Sequence, residues 1–295
     1  MKKFIVIGKS GQLAWELEHI SADATNYVSI VCLGRNDIDV LDYDSALSVM
    51  REIDADAVIN ASAYTAVDKA EDDRDNAFAL NSTAVGIIAK VCKELGLHFV
   101  HVSTDFVFDG LKSSPYLPND FKSPIGVYGA SKSAGEDELL TSIPKSSCII
   151  RTSWVYSVHG NNFVKTMLRL MEDKPELGII SDQIGSPTLA SGLARVCVEA
   201  AVERVTGTHH YTDNGVASWY DFAVAIQELG LEKGLLSTGI PIKAISTSDY
   251  PTPAARPSYS VLDKSSLVEA LADVELIHWR KQLSSMLDEL KSRIE

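Results

Sequence analysis

The chain predicts an α/β fold, a doubly wound parallel sheet with a smaller α/β domain beside it. Two observations lead there. Short apolar runs recur through the first half, and helical patterns separate them. The runs fall at residues 4–7, 28–33, 57–60, 98–102 and 147–150. Continuous apolar runs of this kind suit strands buried on both faces. Helical spacing fills 13–20, 43–53, 75–95 and 128–141. Strand and helix in alternation imply parallel pairing, because each crossover lays its helix on a face of the sheet. The second half is less regular, with helical patterns at 162–171, 190–204, 219–229 and 276–293. Its run Tyr250-Pro251-Thr252-Pro253-Ala254-Ala255-Arg256-Pro257 predicts a shaped loop. Proline fixes φ and lacks the N–H that a helix or central strand needs. The expected division is 1–150 for the sheet domain, with parts of 176–205, and 151–295 mainly for the second domain.

Composition narrows the function. The 295 residues are 45% hydrophobic and 23% charged, enough to bury a sizeable core. A net charge of −13 argues against nucleic acid or an anionic membrane as partner. It leaves small anions open, since helix N-termini and a few cationic side chains act locally. No apolar run reaches the length of a membrane span, and the N-terminal one is too short for a signal peptide, so a cytoplasmic protein is expected. Cys32, Cys92, Cys148 and Cys197 form no CxxC pair and read as free buried thiols. His209 and His210 are neighbours, which on a strand face opposite ways, so no shared metal is expected.

Gly8-Lys9-Ser10-Gly11-Gln12-Leu13-Ala14 follows the first run and opens a helix. Glycines let the backbone turn tightly and approach a pyrophosphate, and a small Ala14 lets helix and strand pack. The helix N-terminus then offers unpaired N–H groups to phosphate. This is the phosphate loop of a Rossmann-type dinucleotide domain. The second run ends Cys32-Leu33-Gly34-Arg35, with Arg35 in place of the acid that holds an NAD ribose. A guanidinium suits a 2′-phosphate, so NADPH is favoured, with NADH as second candidate. Asp37 nearby weighs against this, and Asp39-Val40 is placed to border the adenine.

Tyr128-Gly129-Ala130-Ser131-Lys132 puts a phenol and an ammonium four residues apart, on one helix face. A cation beside tyrosine favours the phenolate and is expected to lower its pKa toward the working pH. Upstream, Val102-Ser103-Thr104-Asp105 ends a strand, where parallel sheets place active sites. Thr104 is a candidate hydrogen-bond donor to a reacting carbonyl oxygen.

Together the glycine loop, the strand-end threonine and the YxxxK pair resemble the extended short-chain dehydrogenase/reductase family. Further segments look like its dTDP-4-dehydrorhamnose reductase branch. They include 60–71, 103–110, 127–132, 151–156, 162–170, 182–188, 218–222 and 250–257. The resemblance implies NADPH-dependent reduction of the C4 keto group of a dTDP-linked 4-keto-6-deoxysugar, dTDP-4-dehydro-L-rhamnose, to dTDP-L-rhamnose. It implies Tyr128 as proton donor, Lys132 on the cofactor ribose and Thr104 on the reacting oxygen. Gly8, Gly11, Gln12, Leu13, Arg35, Asp39, Val40, Ala61, Ala63 and Thr65 would line the cofactor site with Tyr128 and Lys132. Thr104, Asp105, Tyr128 and Trp154 would meet the sugar, and Arg256 its pyrophosphate. The sequence departs from the family at Phe106, where a tyrosine is usual, which removes a hydroxyl near the sugar. A homodimer is a candidate assembly. Two alternatives share the fold, a nucleotide-sugar epimerase or dehydratase and a non-catalytic NADP-binding regulatory subunit.

Overall fold

In strand β1 (Lys2–Ile7) successive apolar side chains are buried in opposite directions, Phe4 and Val6 toward one helical layer and Ile5 and Ile7 toward the other. That alternation sets the architecture. The computed structural model describes residues 1–22, 28–271 and 274–294. After β1 come α1 (Gln12–Ala22), β2 (Val28–Leu33), α2 (Tyr43–Ile53), β3 (Ala57–Asn60), α3 (Val67–Ala70), α4 (Arg74–Phe78), α5 (Ala84–Leu95), β4 (His98–Thr104), α6 (Val127–Ser142) and β5 (Ser147–Thr152). The chain continues through β6 (Val155–Tyr156), α7 (Phe163–Asp173), β7 (Leu177–Ile180), β8 (Ile184–Gly185), β9 (Thr188–Leu189), α8 (Ala190–Val202) and β10 (Gly207–His210). It ends with β11 (Ala217–Ser218), α9 (Trp219–Glu232), β12 (Ile242–Ile245), α10 (Ser265–Ala270) and α11 (Trp279–Ser292).

Six strands pair in parallel in the order β10-β5-β4-β3-β1-β2. The order reverses at β1, and there the carboxyl ends of the strands open a crevice. Leu13 and Leu17 of α1 and Leu193, Ala194 and Cys197 of α8 cover one face. Ala46 and Met50 of α2, Ile88 and Cys92 of α5 and Leu139 of α6 cover the other. The sheet is thus doubly wound. Its sixth strand and one of its helices come from the second half of the sequence. His209 and His210 lie on that strand and bond in different directions, to Ser266 and to Arg151.

A second core gathers α7, α9 and α11 around Met167, Met171, Phe222, Ile226, Trp279, Leu283 and Met286. In α7 the buried residues are Val164, Met167 and Met171, the spacing of one helical stripe. Asn162 caps α7, and Ser218 with Asp221 forms a capping box on α9. Two-stranded pairs β11-β8, β12-β7 and β6-β9 complete this smaller α/β layer. Residues 250–257 are a loop.

The single helix expected over 75–95 is instead α4, a π turn at Ala79–Thr83, and α5. The cause is Asn81, buried at the turn. Its Oδ1 accepts the Tyr64 N–H at 2.8 Å, while its Nδ2 donates to the Tyr64 carbonyl at 3.1 Å and the Ser131 hydroxyl at 3.0 Å. A π turn widens the helix by one residue and turns that side chain inward. The last helix starts at Trp279 because the His278 ring caps the Arg280 N–H.

Candidate active site

A cavity of about 660 Å³ opens at the carboxyl ends of β1 and β2. Gly8, Gly11, Arg35, Val40, Ala61 and Ala63 line it, together with Lys9, Ile38 and Leu80, which the sequence did not single out. Gly8 takes φ +127°, a turn that side-chain-bearing residues rarely make. The first helical bond of α1 runs from the Trp15 N–H to the Gly11 carbonyl, so the N–H groups of Gln12, Leu13 and Ala14 precede the ladder. The Leu13 side chain is buried in the core beneath. The Gln12 side chain turns away to accept from Asn162 Nδ2 at 2.9 Å. Asp39 and Thr65 are exposed and do not line the cavity, and Asp39 accepts the Leu41 N–H.

The end of β2 explains how an acid and a base coexist there. Asp37 accepts the Gly34 N–H at 2.8 Å and pairs with Lys9 at 3.2 Å. Those contacts, the Gly34 bond first, hold its carboxyl below the ordinary range. Arg35 is exposed and has no ion-pair partner among the described residues. Asp37 is therefore engaged within its own turn, and Arg35 is available to an anion.

Thr104, Tyr128 and Lys132 meet where β4 ends and α6 begins. Gly129 makes this possible: an added Cβ would lie 2.1 Å from the Phe106 carbonyl oxygen, so only glycine lets α6 rest on the turn at Asp105–Val107. Thr104 Oγ1 donates to Asp105 Oδ1 at 2.9 Å and accepts the Phe106 N–H, and it is close enough to the Tyr128 phenol to lower that group's pKa. Lys132 is fully buried, with Nζ donating to the Val102 carbonyl at 2.7 Å and lying 3.3 Å from His101 Nε2.

Contrary to the expectation from the four-residue spacing, Lys132 does not bring the Tyr128 phenol below its ordinary range. The Tyr128 phenol is pushed up to about 12, by burial first and by the Asp105 charge, with Thr104 opposing. Lys132 Nζ is held by the Val102 carbonyl at 2.7 Å. Burial also lowers Lys132 to about 8, against Glu136 one turn on. Glu136 is itself held below the ordinary range: burial raises it, and the Arg151 fork at 2.9 and 2.7 Å more than offsets that.

A second, small cavity of about 50 Å³ is lined by Asp105, Phe106, Trp154, Gln183, Trp219, Arg256, Pro257 and Ser260. Trp154 stacks on Trp219 at 3.6 Å and takes φ +49°, a strained conformation for a bulky residue that concentrates at functional sites. Asp105 is buried, and its Oδ2 has no hydrogen-bond partner among the described residues. Burial raises Asp105 to about 6, with the Ser260 and Thr104 hydroxyls only partly offsetting it. Phe106 packs edge-on against Tyr128 at 5.5 Å, an apolar neighbour where a hydroxyl is usual. Arg256 lines this cavity, but its fork is closed on Asp68 at 3.0 and 2.8 Å. A phosphate would have to exchange with that carboxylate.

Sequence reasoning passed over Asn60, Asn81, His101, Gln183 and Ser260. The one signal available was a histidine, His101, inside an apolar strand. The others depend on chain segments that are distant in sequence.

A large cavity at a glycine turn, a half-buried tyrosine four residues before a buried lysine, and a strand-end threonine together define a pyridine-nucleotide oxidoreductase of the short-chain dehydrogenase type. The chain belongs to the RmlD substrate binding domain family, whose model matches residues 1–292. It is 37% identical over 292 residues to a dTDP-4-dehydrorhamnose reductase of Aggregatibacter actinomycetemcomitans, covering 97% of this chain and 98% of the relative. The crystal structure of a dTDP-4-dehydrorhamnose reductase from Clostridium acetobutylicum superposes with a TM-score of 0.91 at 34% identity, over 98% of this chain and 99% of that one. The enzyme of the same name from Bacillus anthracis, in complex with NADP, gives 0.91 at 31% identity, over 98% and 99%.

Proposed function

We propose that this chain reduces the C4 keto group of dTDP-4-dehydro-L-rhamnose to dTDP-L-rhamnose, using NADPH. The observation that supports the reading is that Thr104, Tyr128 and Lys132 gather at the junction of β4 and α6, with Asp105 and Phe106, the next residues after Thr104, lining the smaller of two cavities. The larger has a glycine turn, a helix N-terminus and an unpaired Arg35, which fits a phosphorylated dinucleotide. The smaller, with stacked indoles and an unpartnered carboxylate oxygen, fits a hydroxylated ring. When bound, the cofactor supplies hydride to the keto carbon.

The residues do the rest. Tyr128, held neutral by burial, carries the proton that the developing alkoxide requires. A phenol raised to about 12 stays protonated at working pH, which suits a donor. Thr104 steadies the phenol and the reacting oxygen from the β4 side. Lys132 donates to the cofactor ribose. Asp105 Oδ2 accepts from a sugar hydroxyl, and Trp154 offers its indole face to the deoxy edge. Arg256 ties the 250–257 loop to α3 through Asp68 and reaches the diphosphate by trading that carboxylate for phosphate.

The expected compartment is the cytoplasm, since all four cysteines are unpaired, three of them buried, and none of the described helices is long and apolar enough to cross a membrane. A homodimer is the expected assembly. The test is loss of NADPH absorbance with dTDP-4-dehydro-L-rhamnose, and with the UDP-linked 4-keto sugar as control. Oxidation with the dTDP compound alone supports the proposal. Firm cofactor binding with no oxidation by either would favour an epimerase-type or regulatory role.

A further inference from the structure

We propose that His101 is a positioning residue that biases Lys132 toward its neutral amine, through a ring tautomer dictated by Asn60 and Ser62. The inference rests on the reading of Lys132 as part of the catalytic set. His101 is wholly buried in the middle of β4. Its Nδ1 lies 3.2 Å from Asn60 Nδ2, and its Nε2 lies 3.3 Å from Lys132 Nζ.

The hydrogens follow from who can donate. The Ser62 backbone N–H only donates, and it meets Asn60 at 3.1 Å, with the Ser62 hydroxyl donating to the same atom at 2.7 Å. That atom is therefore the Asn60 oxygen, and the amide NH₂ faces His101. An NH₂ also only donates, so Nδ1 carries a lone pair and the single ring proton sits on Nε2. An imidazolium is excluded, because Nδ1–H would face the NH₂. Burial also holds His101 well below its ordinary pKa. The Nε2–H thus points at Lys132 Nζ. An ammonium has only N–H groups to present, so two donors would meet head on, whereas the amine has a lone pair for the Nε2–H. The Val102 carbonyl accepts from either form and keeps Nζ in place.

Other charged groups do not reverse this bias. Tyr128 and Glu136 stand one turn away on either side along α6, Asp105 lies at the end of β4, and Arg151 reaches in from β5. Glu136 favours the ammonium, but its oxygens are engaged by Arg151 at 2.9 and 2.7 Å and by Lys122 at 3.4 Å.

The test follows Lys132 directly, by ¹³C NMR of protein labelled at lysine Cε, with the Lys132 signal assigned by its loss in Lys132→Arg. The wild-type midpoint should fall at about 8; one near the ordinary value of about 10.4 would overturn the proposal. In His101→Gln a carbonyl oxygen is free to face Nζ. In Asn60→Asp a carboxylate accepts from Nδ1–H, which moves the ring proton and leaves Nε2 a lone pair toward Nζ. Each variant, once its melting curve shows it folded, should raise the midpoint by about one pH unit or more. A midpoint unmoved in a folded variant refutes the role of His101. If the midpoint rises but the pH profile of NADPH oxidation does not follow, His101 tunes Lys132 as proposed, and the catalytic reading of Lys132 is what fails.

Discussion

Gly129→Ala sets helix propensity against packing, and the two predict opposite results. Gly129 lies in the first turn of α6 and its φ is not positive, so the backbone accepts alanine. Propensity alone would favour the variant by up to about 1 kcal/mol. The added Cβ falls 2.1 Å from the Phe106 carbonyl oxygen and 3.0 Å from Pro124 Cβ. Carbon and carbonyl oxygen ordinarily meet no closer than about 3.3 Å, so α6 and the 105–107 turn must part by about 1 Å. Overpacking of this kind costs about 1–3 kcal/mol, leaving a net loss of roughly 0–2 kcal/mol. The larger effect is on chemistry, because Thr104 lies at one side of the seam and Tyr128 and Lys132 at the other. A displacement of about 1 Å between reacting groups costs on the order of 100-fold in rate. The assay pairs NADPH oxidation with thermal melting. A folded protein with kcat down by about two orders of magnitude is expected. A variant that melts higher than wild type and keeps kcat within a few fold would show that α6 does not rest on that turn.

Three further substitutions probe the site. Tyr128→Phe should leave NADPH affinity nearly intact while turnover falls by about 10²–10⁴-fold, the usual worth of a general acid; near-normal turnover would remove Tyr128 as proton donor. Arg35→Ala should weaken NADPH by roughly tenfold or more and NADH little, as expected for loss of a charge-assisted bond; equal losses, read by fluorescence titration, would show that Arg35 does not meet the 2′-phosphate. Asp105→Asn tests burial of the carboxylate. Its folded pKa of about 6 lies above the ordinary 3.8, so its favourable contribution is complete below 3.8 and is lost as pH rises through 6. Wild type should therefore lose stability relative to the Asn variant across that window, by up to about 3 kcal/mol. Denaturation midpoints that run parallel in both proteins from pH 4 to pH 7 would contradict the burial argument.

The loop at 250–257 links the two cavities through named contacts. Asp68 on α3 holds Arg256, and Glu71 just beyond accepts the Val127 N–H at the start of α6. One short segment after β3 therefore touches the 250–257 loop and α6, and its earlier residues Ala61 and Ala63 line the larger cavity.

Local pattern carried much of this protein into view. The apolar runs placed β1 to β5 because strands buried on both faces need no polar alternation. The glycine turn and the four-residue spacing of Tyr128 and Lys132 are legible because helix and turn geometry act over a few residues. What local pattern could not carry were interactions across sequence distance. Strand β10 joins the sheet only because the chain returns from the second half of the sequence to pair with β5. The π turn at Ala79–Thr83 exists because Asn81 bonds Tyr64 and Ser131, neither of them its sequence neighbour. The engagement of Arg256 by Asp68 follows from two segments meeting, and the raised rather than lowered pKa of Tyr128 follows from burial and the nearby Asp105 charge. Such terms arise only when distant segments exclude water together, and the folded chain alone decides them.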